Sequence, residues 1–365
     1  MKILINRTDA LGDTILTEPI AALLRKKFPE ADIRFLVSPI TIPLFENHPY
    51  VNGCFSYNKK LSFLAKIKRL RSIFKEFHPD IYLYAGGDHL PSYYSWFKRV
   101  GIRGGLVSKW PSFLFLNNGI RQKRSLVTMH ESDYNLNLLK GIGIKYNSKE
   151  RAEFAPKIHL EESKKLQGIN DFKVTLKDAG LNSELPYIFI HPGMTGHTLN
   201  WSSRNYGRLI DKMELLHPNK YNWIISHTPA DESYLVGIRD HVGNKEHLKD
   251  RFFFFDGSIK GLSNYMLVLS GASAFIGPST GTTHIANTLE VPIVGIFSPI
   301  KVQSSLRWGP FIREKDKTRL VIPDVVCGER FKCAGASCPY YECMSKIEVQ
   351  DIINELEDIL SLEKK

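Results

Sequence analysis

Three short stretches of the 365-residue sequence combine residue types that move protons or hold phosphate. In RTDALGDTIL (7–16), Gly12 permits a tight backbone turn, and Asp13 then falls at the start of an expected helix. A carboxylate placed there can take a proton from a hydroxyl, which is the work of a general base. Asp is also a good helix cap, and a carboxylate that only satisfies backbone N–H groups would stand at the same position. Asp9 is the second candidate for the base. In HPGMTGHTLNW (191–201), Gly193, Thr195 and Gly196 follow a strand and offer N–H groups and a hydroxyl suited to phosphate. In GPSTGTTHIA (277–286), Thr280, Gly281, Thr282 and Thr283 crowd a helix amino terminus, with His284 one turn inside. An uncharged loop rich in hydroxyls and N–H groups suits a diphosphate or a sugar. The plainer readings of this third stretch are a hydroxyl-rich cap and a packed core histidine.

Such loops need strands to end at and helices to begin. KILIN (2–6) is a short apolar run, and Ile15, Ile20, Leu23 and Leu24 recur at helical spacing up to Phe28. IRFLVS (33–38) is the next expected strand, and a basic helix over 62–77 precedes the strand IYLYAG (81–86). The pattern restarts at YIFIHPG (187–193). Helices follow at 203–216, after Asp231, at 262–270 and at 282–289, alternating with strands at 222–226, 252–255, 274–277 and 293–298. Strands alternating with helices imply parallel sheets covered on both faces. The expected organisation is a first doubly wound α/β domain over 1–170, a polar linker over 171–186 and a second such domain over 187–345. Over 346–365 come a closing helix and tail, with Ile352, Ile353, Leu356, Ile359 and Leu360 at helical spacing. Ligands of such folds bind where loops gather at the carboxyl ends of the strands.

With 43% apolar and 24% charged residues, the chain is neither disordered nor fibrous and is long enough for two domains. MKILINRT has a run of only three consecutive apolar residues before Asn6 and Arg7, so it does not read as a secretory signal, and a cytoplasmic protein is expected. No Asp, Glu, Lys or Arg lies between Lys260 and Glu290, but Asn264, Pro278, His284 and Asn287 break that stretch into short buried elements rather than a membrane span. The net charge is +11, and its location is informative: residues 1–170 hold 27 Lys and Arg against 15 Asp and Glu, while the remainder is nearly neutral. A basic first half is suited to a polyanion: nucleic acid, a phosphorylated glycan or an anionic membrane. The plainer reading is a solvated basic surface.

Taken together, these segments resemble glycosyltransferase family 9, the lipopolysaccharide heptosyltransferases. KILINRTDALGDTILTEPIAALLRKKFPEADI is similar to that family's strand, R-x-x-x-L-G-D loop and T-x-P helix. HPGMTGHTLNWSSRNYGRLI is similar to its H-P-G…W-x-x-x-x-(F/Y)-x-x-L-I segment, and GPSTGTTHIANTLEVPIVGIFSP to its (D/S)-T-G-x-x-H-x-A-x-x-L-x-V-P signature. RWGPF (307–311) resembles the R-x-G-P that follows, and the match keeps its order over nearly the whole chain. The resemblance implies a GT-B fold, with two Rossmann-like domains facing a central cleft, and an inverting, metal-independent transferase. A nucleotide sugar, ADP-heptose first among the options, would bind the carboxy-terminal domain. An anionic lipid-linked core glycan would bind the amino-terminal domain at the cytoplasmic face of the inner membrane, which would explain the basic half. No cofactor, metal or nucleic acid is expected. On this resemblance Asp13 is the base, Arg7 and Gly12 belong to the acceptor loop, Thr195 and Gly196 to the phosphate loop, and Ser279, Thr280, Gly281, Thr282 and His284 to the donor signature. The chain departs from the family in two places. Leu199 stands where a Lys two residues before the Trp is common, with His197 and Arg204 as nearby substitutes, and Ser279 stands where Asp is frequent.

Four of the five cysteines, at 327, 333, 338 and 343, are spaced C-x5-C-x4-C-x4-C, looser than the usual zinc pairs. Reduced thiols and a structural metal are both open, and no catalytic role is assigned to them. Two other functions compete. A nucleic-acid-binding protein has only the basic half in its favour and shows no helix-turn-helix, zinc-finger or RNP-like signature. A degenerate GT-B protein that binds a nucleotide sugar without transfer is favoured by Leu199 and Ser279.

Overall fold

The first strand, β1 (Lys2–Arg7), carries three consecutive fully buried side chains, Ile3, Leu4 and Ile5. A strand apolar on both faces belongs in the middle of a covered parallel sheet. The computed structural model describes the whole chain except Lys109, Thr195, His197, Ile312, Arg313, Lys315, Glu329, Arg330 and residues 363–365, and it places β1 in that central position. β1 pairs in parallel with β2 (Asp32–Val37) and β4 (Ile81–Gly86), with Ile3 opposite both Ile33 and Ile81. With β3 (Gly53–Ser56), β5 (Ile102–Leu106) and β6 (Asn118–Ile120) the order is β3-β2-β1-β4-β5-β6. Among the described residues the chain forms two six-stranded sheets, and the second repeats this order. Its strands are β7 (Tyr187–Ile190), β8 (Asn222–His227), β9 (Phe252–Asp256), β10 (Ala274–Pro278), β11 (Ile293–Ile296) and β12 (Thr318–Val321), arranged β12-β11-β10-β7-β8-β9, all pairs parallel. Each is the 3-2-1-4-5-6 order of doubly wound folds, whose switch point lies beside the first strand.

In the first unit the helices are α1 (Leu11–Ile15), α2 (Pro19–Lys27), α3 (Phe63–Phe77), α4 (Leu90–Phe97), α5 (Ser112–Phe115) and α6 (Glu131–Asn137). The single helix expected up to Phe28 is two, because Pro19 has no N–H to continue the first and suits the opening of the second. α3 buries Leu70, Ile73, Phe74 and Phe77, a stripe at helical spacing, and Ser62 caps it by accepting from Ala65 N. The second unit contains α7 (Glu162–Asp178), α8 (Ser203–Leu216), α9 (Glu232–Val242), α10 (Gly261–Leu269), α11 (Gly281–Thr288), α12 (Ser305–Trp308) and α13 (Val349–Leu362). α13 buries the five expected apolar positions and packs against β10, β11, β12 and α8.

The chain divides at His159/Leu160, earlier than the expected 170. Residues 162–178, expected to be split between the first domain and the linker, form α7 of the second unit. The polar stretch hides a short apolar face: Phe172 meets the rings of Tyr187, Phe253 and Phe255, and Leu176 is fully buried. The uncharged stretch before Glu290 resolves into α10, β10 and α11, and among the described residues no helix is long and apolar enough to cross a membrane.

Candidate functional site

At the carboxyl end of β1, Arg7 is buried, and its guanidinium has three partners. Nη1 donates to Ala85 O at 2.6 Å, Nε faces Asp9 Oδ1 at 3.1 Å, and Nη2 donates to Asp13 Oδ1. Asp13 is the third residue of α1, whose amino end, at Ala10, has no side-chain cap. The capping explanation of Asp13 therefore does not hold: its carboxylate is occupied by Arg7. Gly12 lies inside α1 rather than in a tight turn before it, because the helix starts at Leu11. Asp9 and Asp13 keep 27% and 22% of their side-chain surface open, enough for a ligand hydroxyl to reach them. Burial works against the Arg7 charge, but Asp13, Asp9 and Glu131 outweigh it and hold the guanidinium above its ordinary value. Burial also pushes Asp9 upward against the pull of Arg7, and Asp13 adds to the rise.

The neighbouring strand contributes a third carboxylate, one that was not among the expected site residues. After β4, Gly87 takes a φ of +88°, and a Cβ there would fall 2.3 Å from Thr8 Oγ1, so only glycine fits. That close approach lets Asp88 N donate to Thr8 Oγ1 at 2.9 Å, while Asp88 accepts from Tyr57 OH at 2.9 Å, Lys66 Nζ at 3.0 Å and Leu90 N at 3.0 Å. Burial raises the Asp88 carboxyl, but the bonds from Leu90, Lys66 and Tyr57 overcome it and hold it below the usual range. The available signal was Gly-Gly-Asp directly after an apolar strand.

The second unit gathers its loops at the ends of β7, β8 and β10. His191 Nδ1 pairs with Ser226 Oγ at 2.9 Å, Ser226 Oγ with Tyr265 OH at 3.3 Å, and Tyr265 also bonds Thr282. One buried polar chain thus ties the 191–201 loop to the start of α11. Burial holds His191 below its ordinary value against the pull of Asp231, which leaves it neutral in this chain of hydroxyls. A Cβ on Gly193 would stand 2.2 Å from Asp231 Oδ1, while Asp231 Oδ2 accepts from Thr228 N and Oγ1 at 2.9 and 2.7 Å. Further along, Asn200 Nδ2 donates to Pro192 O at 2.7 Å, and the Trp201 indole, 2% exposed, donates to Ile347 O at 2.9 Å. The loop is pinned at both ends.

Of the expected donor residues, Thr195 and the nearby His197 lie outside the described residues. Gly196 has a φ of +76° with open space where a Cβ would be. Ser279, Thr280, Gly281 and Thr282 are half-buried at the mouth of α11. Thr280 stands at the capping position without making the capping bond, and its hydroxyl pairs with that of Thr282 at 2.8 Å. Thr283 is structural, donating to Pro278 O at 2.6 Å, and His284 is buried inside the helix. Leu199 packs against the core and Arg204 is exposed, so neither places a cation in the loop's interior. Cys327, Cys333, Cys338 and Cys343 line one cavity of about 400 Å³ together with Leu199 and Asn200. Burial and the other three thiols push Cys343 upward. Among the described residues no three His, Cys, Asp or Glu side chains are grouped to hold a metal.

Two doubly wound units of this strand order form the fold of GT-B transferases, and the protein is a glycosyltransferase. Residues 148–323 match glycosyltransferase family 9 (heptosyltransferase), the family its motifs resemble. A putative glycosyltransferase of Haemophilus influenzae is 25% identical over 320 residues, 87% of each chain. The structure of the Escherichia coli ADP-heptose lipopolysaccharide heptosyltransferase II superposes with a TM-score of 0.79 at 18% identity over all of both chains. The family 9 transferase from Veillonella parvula does so at 0.74 and 19% identity, over 99% of this chain and 97% of that one.

Proposed function

We propose that the protein is an inverting, metal-independent transferase that moves a sugar, heptose from ADP-heptose first among the donors, onto the anionic core of a lipopolysaccharide. One observation carries this reading: Asp13 does not cap its helix but is held by Arg7 at the end of β1 with part of its carboxylate open. In the reaction Asp13 takes the proton of an acceptor hydroxyl. The hydroxyl oxygen bonds to the anomeric carbon from the face opposite the diphosphate, whose bond to that carbon breaks with the electron pair leaving on oxygen. Arg7, charged and buried, holds and aims Asp13, a positioning role rather than the acceptor contact implied by its motif. The N–H groups of 193–196 and the Thr280, Gly281 and Thr282 end of α11 receive the departing charge without a metal. The acceptor's phosphates account for the basic first half, and its lipid for peripheral work at the inner face of a membrane. The Escherichia coli relative of the same fold is an ADP-heptose heptosyltransferase, which supports ADP-heptose as the donor here.

A second reading, donor binding without transfer, is favoured by Leu199, which turns a position the family commonly fills with Lys into core packing. Calorimetric titration with ADP-heptose, ADP, UDP-sugars and GDP-sugars, with chelator present, tests the donor. Tight preference for ADP-heptose is expected. Preference for another nucleotide sugar would replace the substrate, and binding to none would overturn the proposal.

A further inference from the structure

The first unit leaves a large apolar surface in water on one side of its sheet. In the order β3-β2-β1-β4-β5-β6, right-handed crossovers put α3, α4 and α5 on the same face. Ring contacts confirm the adjacency: Phe74 of α3 meets Tyr94 of α4 at 5.2 Å, and Trp96 of α4 meets Phe115 of α5 at 6.0 Å. On the outside of this layer Trp96, Phe97, Trp110, Phe113 and Leu114 are exposed, Trp110 by 72% and Phe97 by 58%. Phe63 and Leu64, exposed by 61% and 79%, open α3 one turn from Lys66, whose ammonium binds Asp88 at the end of β4. Exposed apolar side chains of this layer therefore also stand close to the candidate acceptor site within this unit.

The charge of this surface is predominantly positive, with exposed Glu76 near the end of α3 an exception. From His89 to His130 there are seven Lys and Arg and no Asp or Glu, and from Asn47 to Lys75 there are again seven and none. A chain in water seldom leaves a group of large apolar side chains such as Trp96, Phe97, Trp110, Phe113 and Leu114 exposed without a partner. Aromatic rings with polar edges set among Lys and Arg suit the boundary between acyl chains and anionic headgroups. Duplex nucleic acid would use the cations and leave Leu64, Leu114 and Phe97 in water.

We propose that the α3–α4–α5 face is a docking surface for an anionic lipid bilayer. Its use in reaching a lipid-linked acceptor rests on the function proposed above, whereas the binding itself does not. The full chain should sediment with vesicles of phosphatidylglycerol and phosphatidylcholine, release with salt, and leave phosphatidylcholine vesicles unbound. Brominated lipid should quench part of the tryptophan emission, since Trp96 and Trp110 are exposed while Trp201 and Trp223 are buried. The double variant Trp96→Ser/Phe97→Ser should bind vesicles at least about tenfold more weakly, through lost apolar burial, with donor affinity unchanged. Wild-type vesicle binding by the double variant, or no quenching of the wild-type chain, would overturn the proposal. So would duplex DNA binding as tight as vesicle binding and indifferent to the double substitution. Should the double variant fold poorly, quenching of the wild-type chain decides alone. Failure of donor binding and of transfer to a de-acylated acceptor, with vesicle binding intact, would remove the enzymatic reading and leave this surface standing.

Discussion

Arg7 is the residue on which the candidate acceptor site turns. A buried guanidinium stands between two part-exposed carboxylates, and at Asp9 it pulls against the rise that burial and Asp13 impose. Arg7→Gln removes that cation. Asp9, already pushed up by burial, should rise further, the low-pH limb of the transfer rate should move to higher pH, and turnover should fall at least about tenfold. A pH–rate profile of the variant matching the wild type would show that the pair does not govern the base. Asp13 itself was legible in the sequence, because a carboxylate a few residues beyond an apolar strand stands at the end of a sheet whatever the details. Its partner was not: Arg7 read as an acceptor contact, and only the fold shows its nitrogens turned inward to Ala85, Asp9 and Asp13.

Between elements, the same pattern holds on a larger scale. Strands such as KILIN, NWIIS and IVGI were legible because continuous apolar runs have no other home than a covered sheet. Glycine-bearing β5 and β6, and the four-residue edge strands β3 and β12, are too short and mixed to show a period. Asp88 and Lys66 come from β4 and α3, 22 residues apart, and nothing local announces their pairing. Because the folded carboxyl of Asp88 lies below its unfolded value, its stabilisation is complete above the ordinary carboxylate range and is lost as pH falls through the folded value. Asp88→Asn should cost about 1–2 kcal/mol in urea unfolding at pH 7, a difference that should be smaller at pH 3. An equal difference at both pH values would contradict the assignment. In the second unit, Gly193→Ala would set a methyl against Asp231 and shift the 191–201 loop. A loss of about 1–3 kcal/mol in stability with weaker nucleotide binding by calorimetry is expected, and unchanged nucleotide affinity would dissociate this loop from the donor.

At the scale of the whole molecule, two units of one topology carry different charge. Met1–His159 holds 25 Lys and Arg against 13 Asp and Glu, which leaves the second unit close to neutral. A neutral nest of hydroxyls and N–H groups suits a nucleotide diphosphate that must also leave, and a basic unit suits a phosphorylated acceptor. The charge asymmetry was readable from composition, while the unit boundary was not, because the apolar face of α7 is only a few residues wide. The most direct test is transfer from ADP-heptose to a de-acylated lipopolysaccharide core, with chelator present, by the wild-type chain and by Asp13→Asn, alongside calorimetric donor binding. The wild type should transfer, and Asp13→Asn should bind the donor within about threefold of it while turning over at least about a hundredfold more slowly. Near wild-type turnover by the Asn variant would contradict the role of Asp13 as the base.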